Sequence, residues 1–158
     1  MYTTPAGYML TWTCYGTRLH GDRRGSVHKK SARPTSPLLP HDRSLARRQR
    51  ETLTSPPLML EDRMRDVIAQ VIRDHCIMRQ WALHAANVRT NHVHIVVSAS
   101  DVSPESAMTQ LKAWSTRRLR EADLIKPDRR VWTRHGSTRY LWTKEEIGAA
   151  IVYVRDMQ

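Results

Sequence analysis

The stretch WALHAANVRTNHVHIVVSA, residues 81–99, decides the fold that the sequence predicts. Its two ends, Trp81–Val88 and His92–Ala99, are short runs rich in aliphatic residues, with the length and composition of β-strands. The three residues between them, Arg89-Thr90-Asn91, supply a turn. The stretch therefore predicts an antiparallel β-hairpin near the middle of the chain.

Patterns on both sides of this hairpin predict the remaining elements. Further strand-like runs lie at residues 8–15, 131–134 and 138–142. Helices are predicted by apolar residues at 3.6-residue spacing over 60–76, by Ser103 and Pro104 at a helix start, and by a capping box over 143–146. The order of these elements predicts one α+β domain over residues 1–158. We expect a ferredoxin-like (RRM-like) antiparallel sheet of four or five strands with helices packed on it.

The chain carries a large excess of positive charge. It has 26 Lys and Arg against 15 Asp and Glu, a formal net charge of +11. Such an excess favours a polyanionic partner, nucleic acid first. No apolar run approaches the ~20 residues that span a bilayer, and residues 1–17 contain no Lys or Arg such as a signal peptide carries. We therefore expect a cytoplasmic, nucleoid-associated protein with no membrane partner.

Most of this charge lies in one segment, from Arg18 to Arg50. That segment has ten basic and two acidic residues, a net +8, and it also contains three prolines. With few large apolar residues it cannot bury a core of its own, so a long basic loop is predicted over residues 18–56. The loop is either a solvated insert or an arm that becomes ordered on a phosphate backbone. Its candidate DNA contacts are Arg23, Arg24, Lys29 and Lys30.

The second strand of the hairpin carries the triplet His92-Val93-His94. Side chains two residues apart in a strand share one face, so the two imidazoles lie side by side and can hold one divalent metal ion. A pair of this kind also arises by chance in a chain with eight histidines, so a structural role for both stays open. G-x-S-x-G, Walker A and H-E-x-x-H motifs are missing from the sequence, which disfavours α/β hydrolases, nucleoside triphosphatases and zincin peptidases.

Tyr153, in the last predicted helix, is the candidate nucleophile. A phenol titrates near ~10 in water, so cationic surroundings are needed to favour the phenolate. Attack on a phosphodiester polarised by a metal would form a phosphotyrosine that conserves the bond energy. A tyrosine on an amphipathic helix more often packs than reacts, so packing is the alternative. Tyr140 is a competing nucleophile, although its strand-like setting better fits a structural or DNA-facing role.

Three elements, taken in order, resemble the HUH superfamily of single-tyrosine, single-strand DNA transposases, and in particular the REP-associated tyrosine transposases. They are the opening stretch 10–22, the triplet His92-Val93-His94 preceded by Asn91, and the closing helix with Tyr153. The resemblance covers residues 8–158. It implies an HUH endonuclease fold and a transposase that cuts and rejoins single-stranded DNA.

The resemblance also implies roles for particular residues. His92 and His94 would bind Mg²⁺ or Mn²⁺, and Tyr153 would attack the DNA and keep its 5′ end as a phosphotyrosine. Gln158 is the candidate third metal ligand. It follows Tyr153 by five residues, whereas familiar members place a glutamine four residues after the tyrosine. The two positions differ by about a quarter of a helix circumference.

The partner implied is single-stranded or hairpin DNA, with its backbone held by basic residues. Candidates outside the basic loop are Lys112, Arg117, Arg118, Arg129, Arg130, Arg134 and Arg139. Each of them can instead be an ordinary solvated side chain. Two other functions stay open: a module of the same fold that binds hairpin DNA or structured RNA without cutting it, and a basic ribosome-associated protein. Monomers and homodimers both fit the resemblance.

Overall fold

The structure, a computed structural model, describes residues 4–17, 43–51, 53 and 55–156. Its strands are β1 (Gly7–Thr13), β2 (Ala82–Val88), β3 (His92–Ser98) and β4 (Ser137–Leu141). Its helices are α1 (Arg43–Glu51), α2 (Asp62–Arg79), α3 (Pro104–Glu121) and α4 (Lys144–Asp156). None of these helices is long and apolar enough to cross a membrane.

The four strands form one sheet in the order β2-β3-β1-β4, and every neighbouring pair is antiparallel. The first strand of the chain therefore lies inside the sheet, between β3 and β4. Helix α2 follows β1 in the chain and α3 follows β3, so two β-α-β units build the sheet. This arrangement confirms the predicted α+β, ferredoxin-like fold, with four strands.

Alternating side chains divide the sheet into two faces. One face carries the main core, shared with α2 and α3, which includes the fully buried Leu10, Trp12, Val93 and Ile95. The opposite face, called the α4 face below, packs on α4 through a smaller cluster of Val96, Leu141, Ala150 and Val154. His92 and His94 lie on the α4 face because they alternate with Val93 and Ile95.

Two helices begin where their capping residues predict. The hydroxyl of Ser103 accepts a hydrogen bond of 3.1 Å from the backbone N–H of Ser106 at the start of α3. At the start of α4, Thr143 accepts one of 3.1 Å from the N–H of Glu146. The Glu146 carboxylate reaches one residue further back than in a standard capping box and accepts from the N–H of Trp142 at 2.6 Å. Helix α4 is thus anchored at its start by a reciprocal cap.

The predicted loop over 18–56 is wrong for Arg43–Glu51, which forms α1. The low apolar content of this segment argues against a core, but its Arg, Leu, Ala, Gln and Glu residues are good helix formers. An ion pair between Arg47 and Glu51, four residues apart at 3.9 Å, adds to its helical preference. Residues 18–42, 52 and 54 lie outside the described part of the chain.

The strand predicted over 131–134 is also wrong. Only Trp132 makes a bridge, to Cys14, just beyond the end of β1. There the chain turns at Gly16, whose φ of +75° is in the left-handed region that glycine adopts readily. The pairing is limited to backbone hydrogen bonds from Tyr15 to Val131 at 2.7 Å and from Thr133 to Thr13 at 3.0 Å, and the side chains of Val131 and Trp132 are buried in the main core.

Candidate active site

The two histidines project from β3 on the α4 face, close to the start of the strand. Their ring centroids lie 4.7 Å apart with the ring planes at 81°. The strand register aligns His94 with Asn87 on β2 and with Thr11 on β1, and aligns His92 with Thr13 on β1. The site is therefore built from three adjacent strands of one sheet.

Each imidazole has its Nδ1 atom engaged by a neighbouring polar side chain. Nδ1 of His92 lies 2.7 Å from Oδ1 of Asn91, and Nδ1 of His94 lies 2.8 Å from Oγ1 of Thr11. An amide oxygen only accepts hydrogen bonds, so Nδ1 of His92 donates to Asn91, and in the neutral imidazole the lone pair is on Nε2. A threonine hydroxyl can donate or accept, and in the tautomer of His94 whose Nδ1 donates to Thr11 the lone pair is also on Nε2. Both histidines are thus arranged as metal ligands are, with the second nitrogen oriented by the protein.

The protonation state of His94 suits this role. Its burial, and next the charges of His92 and Arg89, lower its pKa from 6.5 to about 4. The imidazole is therefore neutral at pH 7. A metal ion that binds it displaces no proton.

Tyr153 lies beside this pair. Its ring centroid is 6.0 Å from that of His94, nearly perpendicular to it, and 42% of the residue is exposed. The neighbouring Val154 is fully buried, and its carbonyl accepts a hydrogen bond of 2.9 Å from Nδ2 of Asn87. Tyr153 is thus partly exposed at the edge of the site, while the backbone next to it is held by the burial of Val154 and by the hydrogen bond from Asn87.

Tyr140, the competing nucleophile, is on the other face of the sheet. It is aligned with Tyr8, whose ring is buried in the main core, and the two rings meet edge to face at 5.5 Å. Its other ring partner is Trp142, stacked at 5.8 Å. The sheet separates Tyr140 from the histidines, so the structure brings Tyr153 and not Tyr140 to them.

Gln158, the predicted third metal ligand, lies outside the described residues. Within the described part of the chain, no group of three or more His, Cys, Asp and Glu residues could hold a metal ion. Among the described residues, the candidate donors are therefore the Nε2 atoms of His92 and His94, whose ring centroids lie 4.7 Å apart on β3. This pair fits a metal with room for further oxygen ligands from DNA, water or the end of the chain.

The predicted DNA contacts on α3 already form hydrogen bonds or ion pairs within the protein. Arg117 and Arg118 are exposed on α3, on the opposite side of the sheet from the histidines, and pair with Glu121 at 3.0 and 3.5 Å. Lys112 donates to the carbonyls of Thr133 at 2.8 Å and His135 at 3.4 Å. Burial, and next the charge of Arg130, lower the pKa of Lys112 to about 8.

Four more predicted contacts lie between residue 129 and β4. Arg129 and Arg130 flank the buried ring of Tyr15, at 5.8 and 5.1 Å from its centroid. Arg134 is exposed in the loop before β4. Arg139 is exposed on β4 and aligned with Met9, which places it on the α4 face. The remaining four candidates, Arg23, Arg24, Lys29 and Lys30, lie outside the described residues.

Three residues of the site were not predicted from the sequence: Thr11, Asn87 and Arg89. Arg89 is exposed, its N–H donates to the carbonyl of His92 at 2.8 Å, and it follows Asn87 by two positions, on the same face. Alternation across the predicted hairpin is the signal that could have identified Asn87 and Arg89. Thr11 depends on the pairing of β1 with β3, which no local pattern specifies.

Comparisons with known proteins place this architecture among transposases. A model of the family described as "Transposase IS200 like" matches residues 57–145, more than half of the chain. A crystal structure of a "putative transposase" from Deinococcus radiodurans R1 is similar, with 19% identity, a TM-score of 0.52, and coverage of 95% of this chain and 88% of that one. A REP-associated tyrosine transposase bound to a REP hairpin gives 14% identity, a TM-score of 0.47, and coverage of 98% and 67%. No curated protein sequence matches the chain.

Proposed function

The chain belongs to the IS200-like transposase family, and from this premise we propose that it is a DNA endonuclease and strand transferase that acts on single strands beside hairpins. One observation carries the proposal. The Tyr153 ring lies beside His94, on the sheet face that carries both imidazoles, and each imidazole has its Nδ1 held by a polar side chain. A nucleophile next to a metal-ligand pair is the arrangement that metal-assisted phosphodiester cleavage requires.

His92 and His94 would hold a divalent cation, Mg²⁺ or Mn²⁺. When bound, the cation supplies Lewis-acid chemistry by withdrawing charge from a phosphate oxygen. Two imidazole nitrogens suit Mn²⁺ better than Mg²⁺, which prefers oxygen donors in an octahedral arrangement. We therefore propose Mn²⁺ as the better activator, with Gln158 as a candidate oxygen ligand.

The chemistry exchanges one phosphodiester for another. The Tyr153 oxygen attacks the scissile phosphorus, the bond from phosphorus to the 3′ oxygen breaks, and the phenol proton is balanced by the proton on the released 3′-hydroxyl. The 5′ end stays on Tyr153 as a phosphotyrosine. Attack by another 3′-hydroxyl reverses the step and joins the two strands. Because a phosphodiester bond is present before and after each step, no ATP is needed.

Single-stranded or hairpin DNA is the proposed substrate because the chain carries a net charge of +11 and because exposed arginines lie on the same sheet face as the histidines. Arg139 lies on β4, and Arg89 directly follows β2, close enough for its charge to act on His94. Cations at these positions can hold a phosphate backbone on both sides of the site. Such a protein would associate with the nucleoid, and monomeric and homodimeric forms are both compatible with the proposal.

The proposal is tested by incubating the protein with labelled hairpin oligonucleotides and Mn²⁺, followed by a denaturing gel. We expect a covalent adduct that is lost in Tyr153→Phe and retained in the matched control Tyr140→Phe. Chelation of the metal and His92→Ala should also abolish the adduct while DNA binding persists. If the protein binds the hairpins but forms no adduct with any divalent metal, the function is DNA binding without cleavage.

A further inference from the structure

A side chain on the sheet holds the turn of α4 that carries Tyr153. Nδ2 of Asn87, on β2, donates to the carbonyl of Val154 at 2.9 Å. Val154 lies in the C-terminal part of α4, directly after Tyr153. The hydrogen bond of Asn87 therefore ties β2 to the helix backbone next to Tyr153.

Asn87 also lies in the cross-strand alignment of residues that orients the proposed metal-ligand pair. It is aligned with His94, which is aligned on its other side with Thr11. Thr11 contacts Nδ1 of His94, and Asn87 contacts the backbone next to Tyr153. Three aligned residues on adjacent strands thus position both the His94 imidazole and the part of α4 that packs opposite it.

Among the described residues, the ring of Tyr153 contacts His94, with ring centroids 6.0 Å apart, and 42% of the tyrosine is exposed. Its position therefore depends on the backbone of the last turn, which packs on the sheet through Val154 and is tied to β2 by Asn87. A helix end fastened only by packing frays more readily than one that also has a hydrogen bond.

We propose that Asn87 is a positioning residue for Tyr153: its hydrogen bond to Val154 keeps the phenol at the histidine pair. This inference rests on the proposed function, in which Tyr153 is the nucleophile. A displacement of ~1 Å at a reacting group can reduce a rate about a hundredfold. Loss of the Asn87 amide should therefore slow chemistry at saturating DNA far more than it weakens DNA binding or Mn²⁺ binding.

The test compares Asn87→Ala with His84→Ala. The control also removes a side-chain hydrogen bond from the β2 region, 2.8 Å to Ser98, but at the other end of the strand. We expect adduct formation at saturating DNA to slow by about tenfold or more in Asn87→Ala, with unchanged half-saturation by DNA and by Mn²⁺. His84→Ala should react at the wild-type rate. Asn87→Leu, which is similar in size and cannot donate, should behave as Asn87→Ala does, and it serves if the alanine variant is poorly folded.

A second measurement does not depend on catalysis. Amide hydrogen exchange over residues 150–156 should be about fivefold faster in Asn87→Ala than in wild type, the effect expected for one lost hydrogen bond. His84→Ala should leave it unchanged. Equal exchange in all three proteins, or a normal adduct rate in Asn87→Ala, overturns the positioning role alone. A wild-type protein that forms no adduct overturns the proposed function, and the positioning role falls with it.

Discussion

Oγ1 of Thr11 lies 2.8 Å from Nδ1 of His94, so a hydroxyl on β1 orients an imidazole on β3. Replacing Thr11 with the similarly shaped Val removes this contact. Outer-shell partners of this kind typically change metal affinity 10- to 100-fold, so we expect about tenfold weaker Mn²⁺ binding. Titration of Mn²⁺ by calorimetry, without DNA, measures this.

Thr13→Val is the matched control for that variant. Thr13 is aligned with His92, but its hydroxyl contacts Thr133 at 2.9 Å instead of an imidazole. Mn²⁺ affinity should therefore be close to that of wild type. Equal losses of affinity in both variants would mean that the Thr11 contact has no specific role in orienting His94.

Arg89 is expected to affect metal and DNA binding in opposite directions. Its backbone N–H donates to the carbonyl of His92 at 2.8 Å, and its charge contributes to the low pKa of His94. A fixed cation repels a bound metal ion but attracts a phosphate. We therefore expect Arg89→Gln to bind Mn²⁺ more tightly in the absence of DNA and to bind single-stranded DNA more weakly, by several-fold in each case.

The charge-matched control is Arg73→Gln, an exposed arginine on α2 that bonds Gln70 at 3.0 Å. Helix α2 packs on the main core, away from the histidines, so both affinities should stay unchanged. Parallel losses of metal and DNA affinity in Arg89→Gln would contradict the electrostatic argument.

The two faces of the sheet should contribute unequally to DNA binding. Arg139 is exposed on the α4 face, whereas Arg117 lies on α3 and pairs with Glu121 at 3.0 Å. Arg139→Gln should weaken binding of single-stranded DNA and reduce the slope of log affinity against log salt by about 1, the value for one phosphate contact. Arg117→Gln should change neither quantity. Fluorescence anisotropy over a range of salt concentrations tests both variants, and the opposite ranking would place the DNA on α3.

The parts of this site that the sequence could predict are those set by residues close together in the chain. Strand alternation was enough to put His92 and His94 on one face, and local capping signals located the start of the helix that carries Tyr153. The contacts of Thr11 and Asn87 join segments 83 and 67 residues apart in the chain. They depend on strand register and helix docking, which follow from packing of the whole core, and no local pattern reports them.

Lys112 should make stability depend on pH. Burial, and next the charge of Arg130, lower its pKa from 10.5 to about 8 in the folded protein. Between these values the unfolded chain binds the proton and the folded protein does not, so stability rises with pH through this window and falls as pH drops through about 8. Urea denaturation at a series of pH values measures the free energy of unfolding. We expect this free energy to rise between pH 8 and 10.5 in wild type but not in Lys112→Met. The variant Lys126→Met, in an exposed loop, should follow the wild-type profile.

Gly136 packs closely against the backbone of Thr11, the residue whose side chain contacts His94. A Cβ atom at Gly136 would lie 2.5 Å from the carbonyl oxygen of Thr11 and 2.6 Å from Sδ of Met108. Neither β1 nor the main core can move without cost, so Gly136→Ala should destabilise the protein by about 1–3 kcal/mol. It should also weaken Mn²⁺ binding, since a shift of β1 displaces the hydroxyl that orients His94.

Gly148→Ala provides the matched control for this substitution. Apart from the adjacent backbone of its own helix, no heavy atom of the described residues lies within 4 Å of a Cβ atom there, and the residue is exposed in the middle of α4. Alanine in a helix interior is favoured over glycine by roughly 0.5–1 kcal/mol, so this variant should be more stable than wild type. Thermal denaturation in parallel with Mn²⁺ titration separates the two effects. If Gly136→Ala loses stability but binds Mn²⁺ as wild type does, β1 does not transmit the clash to His94.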